Sequence, residues 1–87
     1  MLIWLLEAKN LKNDTSVVDP WDPWFDKVFS FVVEAKTERE ARDLAAEDAG
    51  DEGDDAWLLE KYSTCTEIGL SKAYAEERIV VRDFAGT

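Results

Sequence analysis

The sequence contains no histidine, only one cysteine and no long apolar run. Without histidine, Cys65 lacks the usual general base of a thiol nucleophile, so we expect a small buried or half-buried residue. A single cysteine cannot form an intrachain disulfide, so the fold should not depend on an oxidising compartment. No segment approaches the roughly 20 apolar residues of a membrane span, and residues 1–6 lack the basic start and cleavage site of a signal peptide. We therefore expect a cytoplasmic protein.

Patterns typical of enzymes are missing as well. The sequence has no glycine-rich phosphate loop and no zinc-ligand spacing. Its 20 acidic residues make carboxylate pairs so frequent that such pairs do not indicate an acid–base site. The sequence therefore favours a binding protein over an enzyme, and we expect no cofactor and no metal site.

Length and composition predict one domain over residues 1–87, with a small core. The hydrophobic share of 46% and the aromatic share of 11% argue against a disordered chain. Four tryptophans are many for so small a core, so not all of them are expected to be buried.

The pattern of apolar residues predicts a small α+β domain in the order β-loop-β-α-β-β. One helix should pack on one face of a mostly antiparallel sheet of about four strands. The predicted strands cover residues 2–8, 28–35, 56–62 and 78–84. The first is continuously apolar up to Glu7, which indicates a strand buried on both faces or central in the sheet. Residues 63–75 fit turns or one short helical turn.

The predicted helix begins after Thr37 and ends near Ala49, where Gly50 follows. Thr37 and Glu40 form a capping box, in which the Thr37 hydroxyl accepts from the amide of Glu40. The Glu40 carboxylate is expected to reach back to the amide of Thr37. Small apolar residues recur on one face, so the helix can lie close to the sheet.

Negative charge is concentrated in residues 38–55. This segment holds nine acids and two bases, a local net charge of −7 within the total of −10. Such a field attracts cations and basic protein surfaces and repels nucleic acid. Three interpretations stay open: a solvated segment without a partner, a surface for a basic partner, and a calcium loop. The acids do not follow the ligand order of an EF-hand loop.

A repeated Asp-Pro-Trp tripeptide occupies residues 19–24, inside a long predicted loop at 10–27. Each proline restricts the residue before it to extended geometry, which stiffens the loop. Tryptophan is strongly enriched among interface hot spots, so Trp21 and Trp24 are candidate anchors for a partner. In the alternative, which the sequence favours more for Trp24 and Phe25 than for Trp21, these rings close the core.

Six segments form a recognisable set: Trp24-Phe-Asp-Lys-Val-Phe-Ser-Phe-Val-Val33, Glu38-Arg-Glu-Ala-Arg-Asp-Leu-Ala45, Gly50-Asp-Glu-Gly53, Trp57-Leu58, Ser63-Thr-Cys-Thr-Glu67 and Val80-Val-Arg-Asp-Phe84. Together they resemble a family of small acidic proteins encoded by bacteriophages and prophages. The resemblance covers about residues 21–84, and its motifs are structural, with no catalytic motif to carry over. In size and charge the chain is also similar to anti-CRISPR inhibitors, several of which offer a negative face to a DNA-binding groove.

This resemblance and the charge predict a phage-derived inhibitor of a bacterial defence system, with an anti-CRISPR protein as the leading hypothesis. Its partner would be a basic surface of a host protein or CRISPR effector complex in the host cytoplasm. Neither nucleic acid nor a membrane is expected to bind directly. The predicted partner-binding residues are seven acids and two tryptophans: Glu40, Asp43, Glu47, Asp51, Glu52, Asp54, Asp55, Trp21 and Trp24.

Other functions stay open on the sequence alone. The chain could be a phage accessory or structural protein that binds a partner through loop 19–26, with the acids serving only solubility. It could also be a module that depends on a divalent cation. A homodimer through an open edge strand is a further alternative, because a four-stranded sheet leaves two edges.

Overall fold

The computed structural model describes residues 1–11, 16, 18–72 and 76–86. Its elements are β1 Leu2–Ala8, β2 Lys27–Ala35, α1 Glu38–Glu47, α2 Asp55–Leu58, β3 Ser63–Leu70 and β4 Arg78–Ala85. All strand pairs are antiparallel, so the structure confirms the predicted α+β class with one main helix. Among the described residues, no helix combines the length and the apolarity needed to cross a membrane.

The sheet has the order β3-β1-β2-β4, which places β1 inside it, as its apolar run predicts. Leu6 pairs with Phe31 and Trp4 pairs with Val33, so these four side chains share one face of the sheet. Leu6, Phe31 and Val33 are fully buried, and Trp4 packs against the core that they form. This is the face on which α1 packs.

Strand β2 is irregular near its start. Its register against β4 shifts between Val28 and Ser30, which is typical of a β-bulge. The sequence alternation alone puts Val28 and Phe31 on opposite faces, yet both are completely buried. The bulge therefore lets Val28 join the core and opens its backbone groups to contacts from loop residues.

The helix α1 follows most of the predicted pattern. The Thr37 side chain accepts from the amide of Glu40 at 3.1 Å, as expected for its N-cap. The Glu40 carboxylate instead accepts from the amide of Lys36 at 3.3 Å, one residue before the predicted donor. Ala41 and Ala45 are fully buried, because their small side chains allow the helix to approach the sheet closely. The helix ends at Glu47, slightly earlier than predicted.

The predicted strand at residues 56–62 is wrong. Residues 55–58 form the short helix α2, and the chain then turns before β3 begins at Ser63. Ala56 and Trp57 are both buried although they are adjacent, and a regular strand would direct them to opposite faces. The true third strand, β3, lies in the segment whose pattern the sequence left ambiguous.

Trp57 is the centre of the aromatic core. Its ring lies edge to face against Phe31, with centroids 4.8 Å apart, and against Trp21 at 5.4 Å. Such edge-to-face pairs are favourable beyond the area they bury. The aromatic core therefore joins β2, α2 and the loop before β2. These contacts hold α2 and that loop against the sheet.

Candidate interaction surface

Most of the predicted acidic residues lie on the outside of α1 and of the segment that follows it. Glu47, Asp51, Asp54 and Asp55 are exposed, and Glu40 and Asp43 are half-exposed. Together with the exposed Asp48, we call this set the acidic surface. The structure thus gives these carboxylates the accessibility that binding a basic partner would require.

Glu52 corrects the predicted set, because its side chain points inward. Only 8% of the residue is exposed. One carboxylate oxygen accepts from Trp57 Nε1 at 2.6 Å, and the other accepts from the amide of Val28 at 3.0 Å. Its hydrogen-bonding capacity satisfies two buried donors, so Glu52 serves the fold and is not accessible to a partner.

The two bases within residues 38–55 have different environments. Arg42 is 5% exposed and donates to the carbonyl of Trp57 at 2.8 Å, and also to Ser63 Oγ at 3.0 Å and the Ser63 carbonyl at 3.1 Å. Its Nε also bonds to Glu38 at 2.9 Å. Arg39 is exposed and pairs with Asp43 at 3.1 Å. One of the two positive charges is thereby withdrawn from the outer face of the segment.

Two further contacts border the acidic surface. Arg82 on β4 donates to the backbone carbonyl of Asp48 at 2.9 Å, where the C-terminus of α1 favours a cation. A hydrogen bond with Glu40 is the main cause that raises the pKa of the Glu77 carboxyl. The acidic surface is thus bounded by β4 at the C-terminal end of α1, and Glu40 shares its carboxylate with a neighbour.

Only one of the two tryptophans of the repeated tripeptide is accessible to a partner. Trp21 is only 5% exposed, and its Nε1 donates to the carbonyl of Val28 at 2.6 Å. It is therefore a core residue, which corrects its prediction as a partner anchor. Trp24 is 64% exposed, and its ring contacts Phe25 edge to face with centroids 6.4 Å apart.

Indole hydrogen bonding also distinguishes Trp24 from the other tryptophans. Trp4 donates its Nε1 hydrogen to the carbonyl of Ala35 at 3.1 Å, and Trp21 and Trp57 have the partners given above. Trp24 has no such acceptor among the residues that the structure describes. An exposed ring with a free donor is typical of residues that anchor an interface.

A backbone hydrogen bond joins the loop that carries Trp24 to the segment that follows α1. The amide of Asp51 donates to the carbonyl of Asp26 at 2.7 Å. A Cβ at Gly50 would lie 2.7 Å from the same carbonyl oxygen, so only glycine permits this approach. In the sequence these are separate features, because no local pattern indicates a contact over 25 residues. Trp24 therefore lies two residues before Asp26, whose carbonyl is bonded to Asp51 of the acidic surface.

The single cysteine is half-buried on β3, as the sequence predicts. Burial raises the pKa of the Cys65 thiol to about 11, and the nearby positive charge of Arg42 offsets only part of this effect. The raised pKa lowers the thiolate fraction, so at pH 8 we expect iodoacetamide to alkylate Cys65 about a hundredfold more slowly than a free cysteine peptide. Mass spectrometry of a time course measures this rate, and alkylation as fast as the peptide's would contradict it.

Among the described residues, no group of three or more acidic or cysteine side chains is arranged to hold a metal ion. Comparisons of the chain with protein-family models, with curated proteins and with solved structures found no match.

Proposed function

We propose that this chain is a protein inhibitor that binds a basic, nucleic-acid-binding surface through its acidic surface. The observation that supports the proposal is the outward placement of these carboxylates, while Arg42 is turned into the core. The proposed target is a bacterial defence complex in the host cytoplasm. The phage-like resemblance makes a CRISPR effector complex the first candidate, and the mechanism needs neither catalysis nor a cofactor.

Helix geometry supports this mechanism. Glu40, Asp43 and Glu47 follow one another at intervals of three and four residues, which places them on one side of α1. Their spacing along the axis is about 5 Å, on the order of the ~3.4 Å axial step between phosphates of one DNA strand. A groove lined with lysine and arginine could therefore accept this face in place of a nucleic acid.

Charge reversal tests the proposal. We expect Glu47→Lys, Asp51→Lys and Asp55→Lys together to weaken binding to the target roughly a hundredfold, because three attractions of up to about 1 kcal/mol become repulsions. The variant retains Glu52 and the Asp54 cap of α2, so we expect it to fold. Titration calorimetry of the chain against the captured target measures the effect.

A matched control separates local charge from total charge. The triple variant Glu7→Lys, Glu67→Lys and Asp83→Lys changes three exposed acids on the sheet and has the same net charge of −4, compared with −10 for the natural chain. We expect this control to lose far less affinity than the acidic-surface variant. Equal losses would mean that overall charge, not the acidic surface, controls binding.

A second candidate function is favoured by the exposure of Trp24. In this alternative the chain is a phage accessory or structural protein that binds a partner through loop 19–26. Such binding would depend on apolar contacts, so it would persist when salt is raised from about 0.1 M to 1 M and the Debye length falls from ~10 Å to ~3 Å. Loss of a partner in the Trp24→Ala variant at both salt concentrations would support this function over the first.

A further inference from the structure

A cleft of about 320 Å³ lies beside Trp24. Its apolar walls are Trp21, Trp24, Phe29 and Ala8, and its polar edge includes Lys9 and Asp19. The ammonium group of Lys9 donates to the backbone carbonyl of Glu60, and the Asp19 carboxylate accepts from the amide of Trp21 at 2.9 Å. Internal contacts thus hold the polar edge in place, while the exposed ring of Trp24 lines the cleft and its Nε1 has no acceptor among the described residues.

The size of the cleft limits what can enter it. Its volume equals that of a cube about 7 Å on an edge, whereas an α-helix with its side chains is roughly 10–12 Å across. An extended segment that inserts one or two side chains fits this space better. Nucleic acid is disfavoured because Asp19 lines the cleft, and Asp22 and Asp26 each lie two residues from Trp24 in the chain, so these carboxylates would repel phosphates.

Polyproline II geometry matches the chemistry of this cleft. Its backbone makes no internal hydrogen bonds, so its carbonyl groups are free to accept from an indole N–H. Proline rings pack against aromatic side chains, and the stiff conformation reduces the entropy lost on binding. The Asp19 carboxylate at the cleft and the nearby Asp22 carboxylate are complementary to a basic residue next to the prolines. Asp22 is exposed for such a contact.

We infer that the cleft beside Trp24 binds a proline-rich segment of a partner protein, with an arginine or lysine flanking the prolines. In the bound state the ring of Trp24 packs against a proline, and its Nε1 donates to a carbonyl of the segment. This inference names a partner class for the second proposed function, on which it rests. It does not depend on the acidic surface binding a nucleic-acid-binding protein.

Nuclear magnetic resonance gives a direct test, because each tryptophan contributes one indole N–H signal. The probe is a synthetic decapeptide with a Pro-x-x-Pro repeat followed by arginine, at about 1 mM, a concentration that detects binding free energies near −4 kcal/mol. We expect the Trp24 indole signal to shift, while that of Trp57 in the core does not. Matched peptides carry alanine for both prolines, or glutamate for the arginine, and should bind more weakly.

Variants identify the contact. Trp24→Ala is expected to raise the Kd of the peptide about thirtyfold or more, as for other tryptophan hot spots. Trp24→Phe retains a ring but not the donor and should have an intermediate effect. Leu70→Ala removes another exposed apolar side chain, at the far end of β3, and should change nothing.

Three results would overturn the inference: no shift of the Trp24 signal, equal binding of the proline-free peptide, or unchanged affinity of the Trp24→Ala variant. If Trp24→Ala abolishes capture of a partner from a lysate but no proline-rich peptide binds, the second proposed function stands and the inference fails. If Trp24→Ala changes neither capture nor peptide binding, both fail together.

Discussion

Replacing Glu52 with alanine is expected to lower the free energy of unfolding by about 3 kcal/mol. The substitution leaves the indole N–H of Trp57 and the amide of Val28 without an acceptor in a buried environment. Each unsatisfied buried donor costs roughly 1–3 kcal/mol. A domain of this size is stabilised by only about 4–13 kcal/mol in total, so this loss is large. Urea denaturation followed by tryptophan fluorescence measures it.

Two matched variants show whether the buried hydrogen bonds are the cause. Glu52→Gln keeps one acceptor oxygen and should lose roughly half as much stability. Asp51→Ala removes the exposed neighbouring carboxylate and should change stability by less than about 0.5 kcal/mol. Equal stabilities of the Glu52→Ala and Asp51→Ala variants would contradict the inward role of Glu52.

Replacing Arg42 with alanine is expected to cost about 3 kcal/mol as well. The guanidinium group donates to the carbonyl groups of Trp57 and Ser63, and these bonds join α1 to α2 and to the start of β3. Without it, these buried acceptors lose a partner, and Glu38 loses its counter-charge. The Arg42→Lys variant should recover only part of the loss, because one ammonium group cannot reproduce the planar fork of donors.

Arg39 provides the control for this prediction. It lies on the same helix and pairs with an acid four residues away, as Arg42 does, but it is exposed. We expect Arg39→Ala to cost at most about 0.5 kcal/mol, because exposed pairs of this kind contribute little. Chemical denaturation of both variants gives the comparison. Similar losses for Arg39→Ala and Arg42→Ala would mean that the internal bonds of Arg42 are not important for stability.

The sequence predicts the regular elements of this fold well, because local physics determines them. The continuous apolar run of β1 indicates its central position, and the capping residues of α1 locate the start of the helix. The third strand was misplaced because residues 56–62 have the composition of a strand. Their actual conformation is set by tertiary contacts, including the bond from Arg42 to the carbonyl of Trp57.

The candidate residues were harder to assign, since similar local patterns have different tertiary environments. Trp21 and Trp24 both follow Asp-Pro, but Trp21 donates to the backbone of Val28 at the bulge in β2, whereas Trp24 is exposed. Glu52 lies among several acids in the sequence, and the pattern predicts that all of them are exposed. Its inward direction follows from the position of Trp57 in the core, which no local spacing reveals.

These internal contacts have a consequence for binding. Glu52 and the amide of Asp51 fasten the acidic segment to β2 and to the loop that carries Trp24. A segment held in this way loses less conformational entropy when a partner binds. The buried side chain of Glu52 therefore holds the exposed carboxylates next to it in place. The acidic surface and Trp24 are attached to the same part of the fold, at the start of β2.

We propose that the acidic surface occupies the place of a nucleic acid on its target. The most direct test captures complexes from a bacterial lysate with the tagged chain at about 0.1 M salt, where charges interact over ~10 Å. An excess of single-stranded or duplex nucleic acid is then added. We expect a nucleic-acid-binding complex to be captured, and to be released by nucleic acid as well as by 1 M salt. Capture of such a complex that stays bound under saturating nucleic acid would contradict the account.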